Sequence, residues 1–185
     1  MIEPAVARRI RLVGVDVDGT MTDGGLYIGV VGGQPTELKR FHIHDGIGVQ
    51  LMRAAGLPVA VVTGRGGQAA EVRARELMVD EFIADSSARK LPAFEGILQR
   101  RGVRWEECAF IGDDLADLPI MRRVALPVAV ANAVQDVKAS ARHTLQLAGG
   151  HGAVREFAEQ LLQARGVWAE VVRAYLRERG DVLAR

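Results

Sequence analysis

Asp16 and Asp18 stand two residues apart in Val15-Asp16-Val17-Asp18-Gly19-Thr20. A second acidic set lies in Gly112-Asp113-Asp114-Leu115-Ala116-Asp117. Each set directly follows a nearly continuous apolar run, residues 10–15 and 108–111. Aspartates gathered in this way can attack an electrophile, exchange a proton or ligate a cation. Carboxylates that converge repel one another strongly unless a cation joins them. Hard oxygen ligands of this kind suit Mg2+, which takes a few carboxylates and keeps several waters. Asp16 stands between Val15 and Val17, an apolar setting where an unpaired carboxylate is costly, so a plain turn role fits it poorly. Asp114 fits a turn or helix-cap role as readily as a chemical one, and Asp117 by itself fits the turn or cap role better.

Other residues offer chemistry with less specificity. Thr63-Gly64-Arg65 ends a third apolar run, and Gly66-Gly67 lead into a helix opening near Gln68. A hydroxyl, free backbone N–H groups and a helix N-terminus make an anion site, although an ordinary strand–turn–helix corner looks the same. Lys90 begins another helix, where the dipole disfavours a cation, so it calls for an anionic partner. His42 and His44 alternate on what reads as a strand and would share one face. No third nitrogen ligand is near, so edge polarity or substrate contact suits them better than a metal. Gly64-x-Gly66-x-x-Ala69, with Asp85 about twenty residues on, also fits a dinucleotide-binding fingerprint and an oxidoreductase. That pattern falls at the second strand and leaves Asp16, Asp18 and Asp113 unexplained. Cys108 begins an apolar run and reads as a small core residue. The sequence has no Walker A loop and no G-x-S-x-G elbow.

These residues need elements to position them. The runs 10–15, 58–62, 82–84, 108–111 and 127–131 read as strands. Most are continuous rather than alternating, as in a parallel sheet covered on both faces. Helical stretches at 47–55, 68–77, 91–101 and 115–124 lie between them. The alternation predicts βαβ units: a three-layer α/β/α Rossmann-like fold with a mainly parallel sheet. Parallel strands would carry both acidic sets to one edge, where ligands bind in open α/β sheets. Residues 26–43 read as a hairpin inserted after the first strand, turning at Gly32-Gly33-Gln34-Pro35. From 153 to about 178, Val154, Phe157, Leu161, Leu162, Trp168, Val171, Val172, Tyr175 and Leu176 recur at helical spacing. They predict one long amphipathic tail helix after a break at Gly149-Gly150 and Gly152, with an apolar stripe that must be buried somewhere.

The chain has 185 residues, which suits one domain. Lys and Arg number 24 against 23 Asp and Glu, a net charge of +1 that gives no footprint for nucleic acid. One cysteine excludes an intrachain disulfide and suits a reducing compartment. No apolar run reaches the ~20 residues of a membrane span. Met1-Ile2-Glu3-Pro4 lacks the basic-then-apolar layout of a secretory leader. The expectation is a cytoplasmic globular domain that binds neither membrane nor nucleic acid.

Taken in order, Asp16-Val17-Asp18-Gly19-Thr20, Thr63, Lys90 and Gly112-Asp113-Asp114-x-x-Asp117 resemble the four motifs of the haloacid dehalogenase-like phosphatases. Phe41-His42-Ile43-His44-Asp45-Gly46, Thr63-Gly64-Arg65 and Gly149-Gly150-His151-Gly152-Ala153-Val154-Arg155-Glu156 look like a capless group within it, the 3-deoxy-D-manno-octulosonate 8-phosphate phosphatases. The resemblance implies one hydrolase domain over 1–185, with Asp16 as nucleophile and Asp18 as acid and then base. It implies Thr63 and Lys90 on the transferring phosphoryl group. Mg2+ would be held by Asp16, the backbone carbonyl of Asp18 and Asp113, with Asp114 and Asp117 orienting those ligands. Substrate contacts would come from His42, His44, Asp45, Gly46, Gln50, Gly64, Arg65 and Arg73. It further implies a homotetramer in which the hairpin and a neighbouring subunit's tail close the site. The substrate would be a phosphorylated sugar acid of eight carbons, or a nonulosonate 9-phosphate. Relatives often carry Arg where His44 and Gln50 stand, and a bidentate Arg is the usual reader of a carboxylate.

Overall fold

The computed structural model describes residues 1–87 and 89–183. After a short helix α1 (Pro4–Arg9), the chain enters β1 (Leu12–Val15). A two-stranded excursion follows, β2 (Tyr27–Val31) and β3 (Gln34–Leu38). Helix α2 (Ile43–Ala54), strand β4 (Val59–Thr63), helix α3 (Gln68–Glu76), strand β5 (Glu81–Ala84) and helix α4 (Lys90–Arg101) come next. The second half holds β6 (Cys108–Gly112), a 3-10 turn at Leu115–Asp117, α5 (Leu118–Met121), β7 (Leu126–Ala129), α6 (Gln135–Ser140) and β8 (His143–Thr144). Two helices close the described chain, α7 (Ala153–Arg165) and α8 (Trp168–Glu178).

Six strands form one sheet in the order β5-β4-β1-β6-β7-β8, and every pairing in it is parallel. Every residue of β1, β4, β6 and β7 is buried, as their unbroken apolar runs predict for strands covered on both faces. The chain steps from β1 outward through β4 to β5, then returns to β6 on the other side of β1. The strand order therefore reverses between β1 and β6. A crevice opens at such a reversal beyond the carboxyl ends of the strands, and the two acidic sets follow these two strands. Cys108 begins β6; burial pushes its thiol up to about 12.

Three expectations need correction. The hairpin is narrower than 26–43: β2 and β3 meet across Gly32-Gly33, both at positive φ (57° and 79°), a two-residue turn that glycine favours. Helix α2 starts at Ile43, not at 47, so His42 and His44 do not alternate on a strand. His42 caps the helix by accepting the N–H of His44 at 3.3 Å. The tail is two helices rather than one, because Gly166 takes φ +78° and ends α7. Among the elements not foreseen, α1 is short and β8 has only two residues, with no apolar run to mark it.

Helix α7 packs on its own chain. Val154, Phe157, Ala158, Leu161 and Leu162 are buried, against α2 and α1. The 149–152 segment also folds inward, so closely that a Cβ on Gly149 would meet the carbonyls of Gly19 and Thr22. Of the two tail helices, α8 is left with a mostly uncovered face; Val171 is its one buried residue among those described. Helices α2 and α7 approach closely at Gly48, where a Cβ would lie 2.8 Å from the Arg155 Cα. Backbone cannot yield as a side chain does. Gly48→Ala is therefore expected to destabilise the fold by about 1–3 kcal/mol despite alanine's better helix propensity. At Gly96, also helical, the nearest atom is the flexible Arg100 Nη1 at 3.4 Å. There Gly96→Ala should be neutral or stabilising by up to about 1 kcal/mol. Urea denaturation midpoints of the two variants, moving in opposite directions, are the check.

Candidate active site

The Asp16 N–H donates to the Ile111 carbonyl at 3.0 Å, joining the ends of β1 and β6. The loop then turns on one acceptor. The Val17 carbonyl takes the N–H groups of Thr20 (3.3 Å), Met21 (2.9 Å) and Thr22 (2.9 Å), and the Thr22 hydroxyl at 3.2 Å. Gly19 makes the turn at φ +85°, and a Cβ there would run into the Asp113 carboxylate. Asn132 clamps the loop from outside. Its Nδ2 donates to the Gly19 carbonyl at 2.9 Å, and its Oδ1 accepts the Gly149 N–H at 2.7 Å.

Below this loop lies a buried charge cluster. Lys90 Nζ donates to Asp16 Oδ1 at 2.5 Å and to Asp117 Oδ1 at 2.8 Å. Asp117 Oδ2 accepts the N–H groups of Asp113 (3.0 Å) and Asp114 (3.3 Å). The Asp114 carboxylate accepts the Leu115 N–H at 2.7 Å and caps the 3-10 turn. The Thr20 hydroxyl donates to Asp113 Oδ1 at 3.3 Å. Carboxylate oxygens of Asp16, Asp113 and Asp117 lie within 4.8 Å of one another. Burial, and then the Asp117 charge, push Asp16 well above the usual carboxylate range, while Lys90 pulls it back. Burial and Asp117 likewise raise Asp113 to about 6. Burial opposes the Lys90 charge, but the Asp16 and Asp117 carboxylates outweigh it and hold the ammonium above its ordinary value. One ammonium thus faces three carboxylates, and the excess of negative oxygen fits a hard divalent cation.

At the mouth, Asp18 is half-buried. Its Oδ1 accepts from Lys39 Nζ at 2.5 Å, and its Oδ2 faces the Thr63 hydroxyl at 3.4 Å. Thr63 Oγ1 also accepts the Arg65 N–H at 3.1 Å. Arg65 extends outward to Glu37 at 2.9 Å, and Gly64 lies between Thr63 and Arg65. The Asp18 carboxylate thus lies outside the buried trio, while Asp117, expected to orient ligands, lies within it. Lys39 was not foreseen. It reads as a surface lysine, and only the return of the hairpin brings it to Asp18.

The residues expected at the substrate fall in several places. Arg73 donates to Glu76 (2.9 Å) and to the His42 carbonyl (3.3 Å), and lies over the Phe41 ring at 5.8 Å. Gly46 packs where a Cβ would touch Leu77 and Arg73. Asp45 is buried and accepts the Arg155 N–H at 3.0 Å, capping α7 where Gly152 has no side chain to do so. Its other oxygen is buried with no hydrogen-bond partner among the described residues, and burial raises its pKa. His44 lines a cavity of about 270 Å³ with His151, Arg155 and Glu159. Gln50 faces Arg179, at the end of α8, at 3.4 Å and lines a different cavity with that helix. The Gly64–Ala69 corner does join a strand to a helix. Asp85, however, is occupied by the Ser87 N–H (2.9 Å) and hydroxyl (2.6 Å), which leaves its Oδ1 poorly placed for a ribose.

A cation must displace the proton that Asp113 holds below about pH 6. The thermal stabilisation by added Mg2+ is therefore expected to grow as pH rises through about 6 and to disappear in Asp113→Asn. Differential scanning calorimetry with and without the ion checks both points.

The haloacid dehalogenase-like hydrolase family matches residues 73–157. The 3-deoxy-D-manno-octulosonate 8-phosphate phosphatase of Escherichia coli K12 is 40% identical over 162 residues, 88% of this chain and 84% of the relative. The enzyme of that name from Moraxella catarrhalis, solved with a magnesium ion, a phosphate ion and a KDO molecule, superposes with a TM-score of 0.85 at 32% identity. That match covers 93% of this chain and 97% of the other. The cobalt-bound deoxy-D-mannose-octulosonate 8-phosphate phosphatase of Haemophilus influenzae gives 0.84 at 34% identity, over 92% and 99%. Sequence and sheet topology agree, and the chain belongs to the haloacid dehalogenase-like hydrolases, within the phosphoric monoester hydrolases of the 3-deoxy-D-manno-octulosonate 8-phosphate phosphatase family.

Proposed function

We propose that this chain is a Mg2+-dependent phosphatase that releases phosphate from 3-deoxy-D-manno-octulosonate 8-phosphate, a precursor step for lipopolysaccharide, in the cytoplasm. The observation that carries the reading is Asp16, held by Lys90 at the bottom of a crevice whose mouth presents Asp18 and Thr63. Asp16 attacks phosphorus and forms an aspartyl-phosphate as the bond to the sugar oxygen breaks. Asp18 gives that leaving oxygen its proton. It then takes a proton from water, which attacks phosphorus, frees phosphate and restores the Asp16 carboxylate. Lys90 and Thr63 hold the phosphoryl oxygens, where positioning and charge carry most of the catalysis. Mg2+ would be held by Asp16, Asp113 and the Asp18 carbonyl, and it supplies charge that offsets the dianionic substrate. Asp114 and Asp117 fix the backbone around those ligands.

Gly64 and Arg65, beside Thr63, are the nearest candidates for the sugar acid. His42, His44 and Arg73 form a second group, and Asp45 and Gly46 act on it through packing. His44 and Gln50, in place of arginines, bear on the choice between an eight-carbon acid and a nonulosonate 9-phosphate. The assembly reading is a homotetramer. The hairpin exposes Ile28 and Val30 on one face and Val31 and Leu38 on the other, and exposed apolar surface of this kind favours an interface. With α7 docked at home, α8 is the part of the tail left to meet a neighbour's site.

Asp16→Asn is expected to lower aryl-phosphate hydrolysis by roughly 10³-fold or more. Equal rates would end the nucleophile assignment. Across a panel of sugar-acid and hexose phosphates, the octulosonate 8-phosphate should have the highest kcat/KM; a nonulosonate 9-phosphate above it would transfer the assignment. Light scattering at micromolar concentration should report a tetramer, and a monomer would refute the shared site.

A further inference from the structure

The Lys39 side chain is 3% exposed, although it lies just past a solvent-exposed strand. A buried ammonium is costly unless it is paired. Lys39 is paired twice, with Asp18 at 2.5 Å and Glu37 at 3.5 Å. Glu37 is itself tied to Arg65 at 2.9 Å. Just beyond Lys39, Phe41 bridges to Thr22 on the loop that carries Asp18. The foot of the hairpin is therefore fastened to the Asp18 loop through backbone and charge together. Asp18 needs such a fastening. Its side chain is 31% exposed, and its other contact, with Thr63, is long at 3.4 Å. A carboxylate held so loosely samples several rotamers, and a small misplacement of a proton donor is expensive in rate.

We infer that Lys39 is a positioning residue, which holds the Asp18 carboxyl in the rotamer that delivers a proton to the leaving oxygen. The inference rests on the phosphatase reading of Asp16 and Asp18. It assigns the inserted hairpin a part in the chemistry: the hairpin carries the cation that aims the proton donor. Lys90 serves the nucleophile from below, and Lys39 serves the acid from the mouth.

Two substrates separate this role from phosphate binding or simple fold support. p-Nitrophenyl phosphate loses a stable phenolate that needs no proton, whereas 3-deoxy-D-manno-octulosonate 8-phosphate loses an alkoxide that does. The parameter kcat/KM reports events up to the first bond cleavage. Lys39→Met should lower kcat/KM for the sugar phosphate by about 10²-fold and for the aryl phosphate by less than about 10-fold. Lys39→Arg should recover part of the loss. In an Asp18→Asn background, Lys39→Met should cost nothing more. Equal losses on both substrates, or an undiminished loss in the Asp18→Asn background, would overturn the inference. Should the Met variant fail to fold by circular dichroism, Lys39→Gln keeps a donor without the charge and must show the same split. Wild type that turns over both substrates beside unaffected Lys39 variants would remove this inference alone. Wild type that turns over neither would remove it together with the phosphatase reading.

Discussion

The ammonium of Lys90, buried between Asp16 and Asp117, is the contact on which the site depends. Burial alone would drive Asp16 toward its neutral form, and the Asp117 charge adds to that pressure. A neutral carboxyl is a poor nucleophile and a poor ligand. Lys90 opposes both effects from a distance of 2.5 Å. It can do so because α4 opens at the carboxyl edge of the sheet, which places the ammonium under β1. The N-terminus of a helix is an unfavourable place for a cation, and the two carboxylates are what make it tenable. Removing one partner would leave the others as uncompensated buried charges, a much larger penalty than losing a surface ion pair.

Around that contact the fold works as a set of short fastenings at one edge. The Asp16 N–H joins β1 to β6, Asp117 gathers the N–H groups of the β6 loop, and Asn132 secures the Gly19 turn to the 149–150 segment. These fastenings are buried or partly buried polar pairs, and they strengthen as water is excluded. The sheet core supplies the stiffness that holds them in register. The mouth is built differently. Its ion pairs, Arg65 with Glu37 and Lys39 with Asp18, come from a hairpin that lies outside the six-stranded sheet. A rigid floor and a separately mounted rim result.

Much of this was legible in the residues. Unbroken apolar runs mark buried parallel strands, and acidic groups directly after two of them point to one crevice. The need of Lys90 for an anion also follows from its place at a helix start. What escaped depends on contacts distant in sequence or on very short signals. Phe41-His42-Ile43 alternates like a strand, and only the His42 cap shows that a helix has begun. Gly166 is a single residue in a periodic stretch, yet its positive φ divides the tail in two. Asp45 read as a group facing substrate, but α7 lacks a capping side chain at Gly152 and takes this carboxylate instead. Lys39 gives no local sign at all, because its partner lies twenty-one residues away across the hairpin.

Cys108, the sole cysteine, is sealed in β6 with its thiol pushed up to about 12, so little thiolate exists to react at neutral pH. The native chain is therefore silent to maleimide dyes. A cysteine introduced at the hairpin tip or on α8 would be the only reactive thiol, and fluorescence could follow rim and tail in the otherwise unaltered protein.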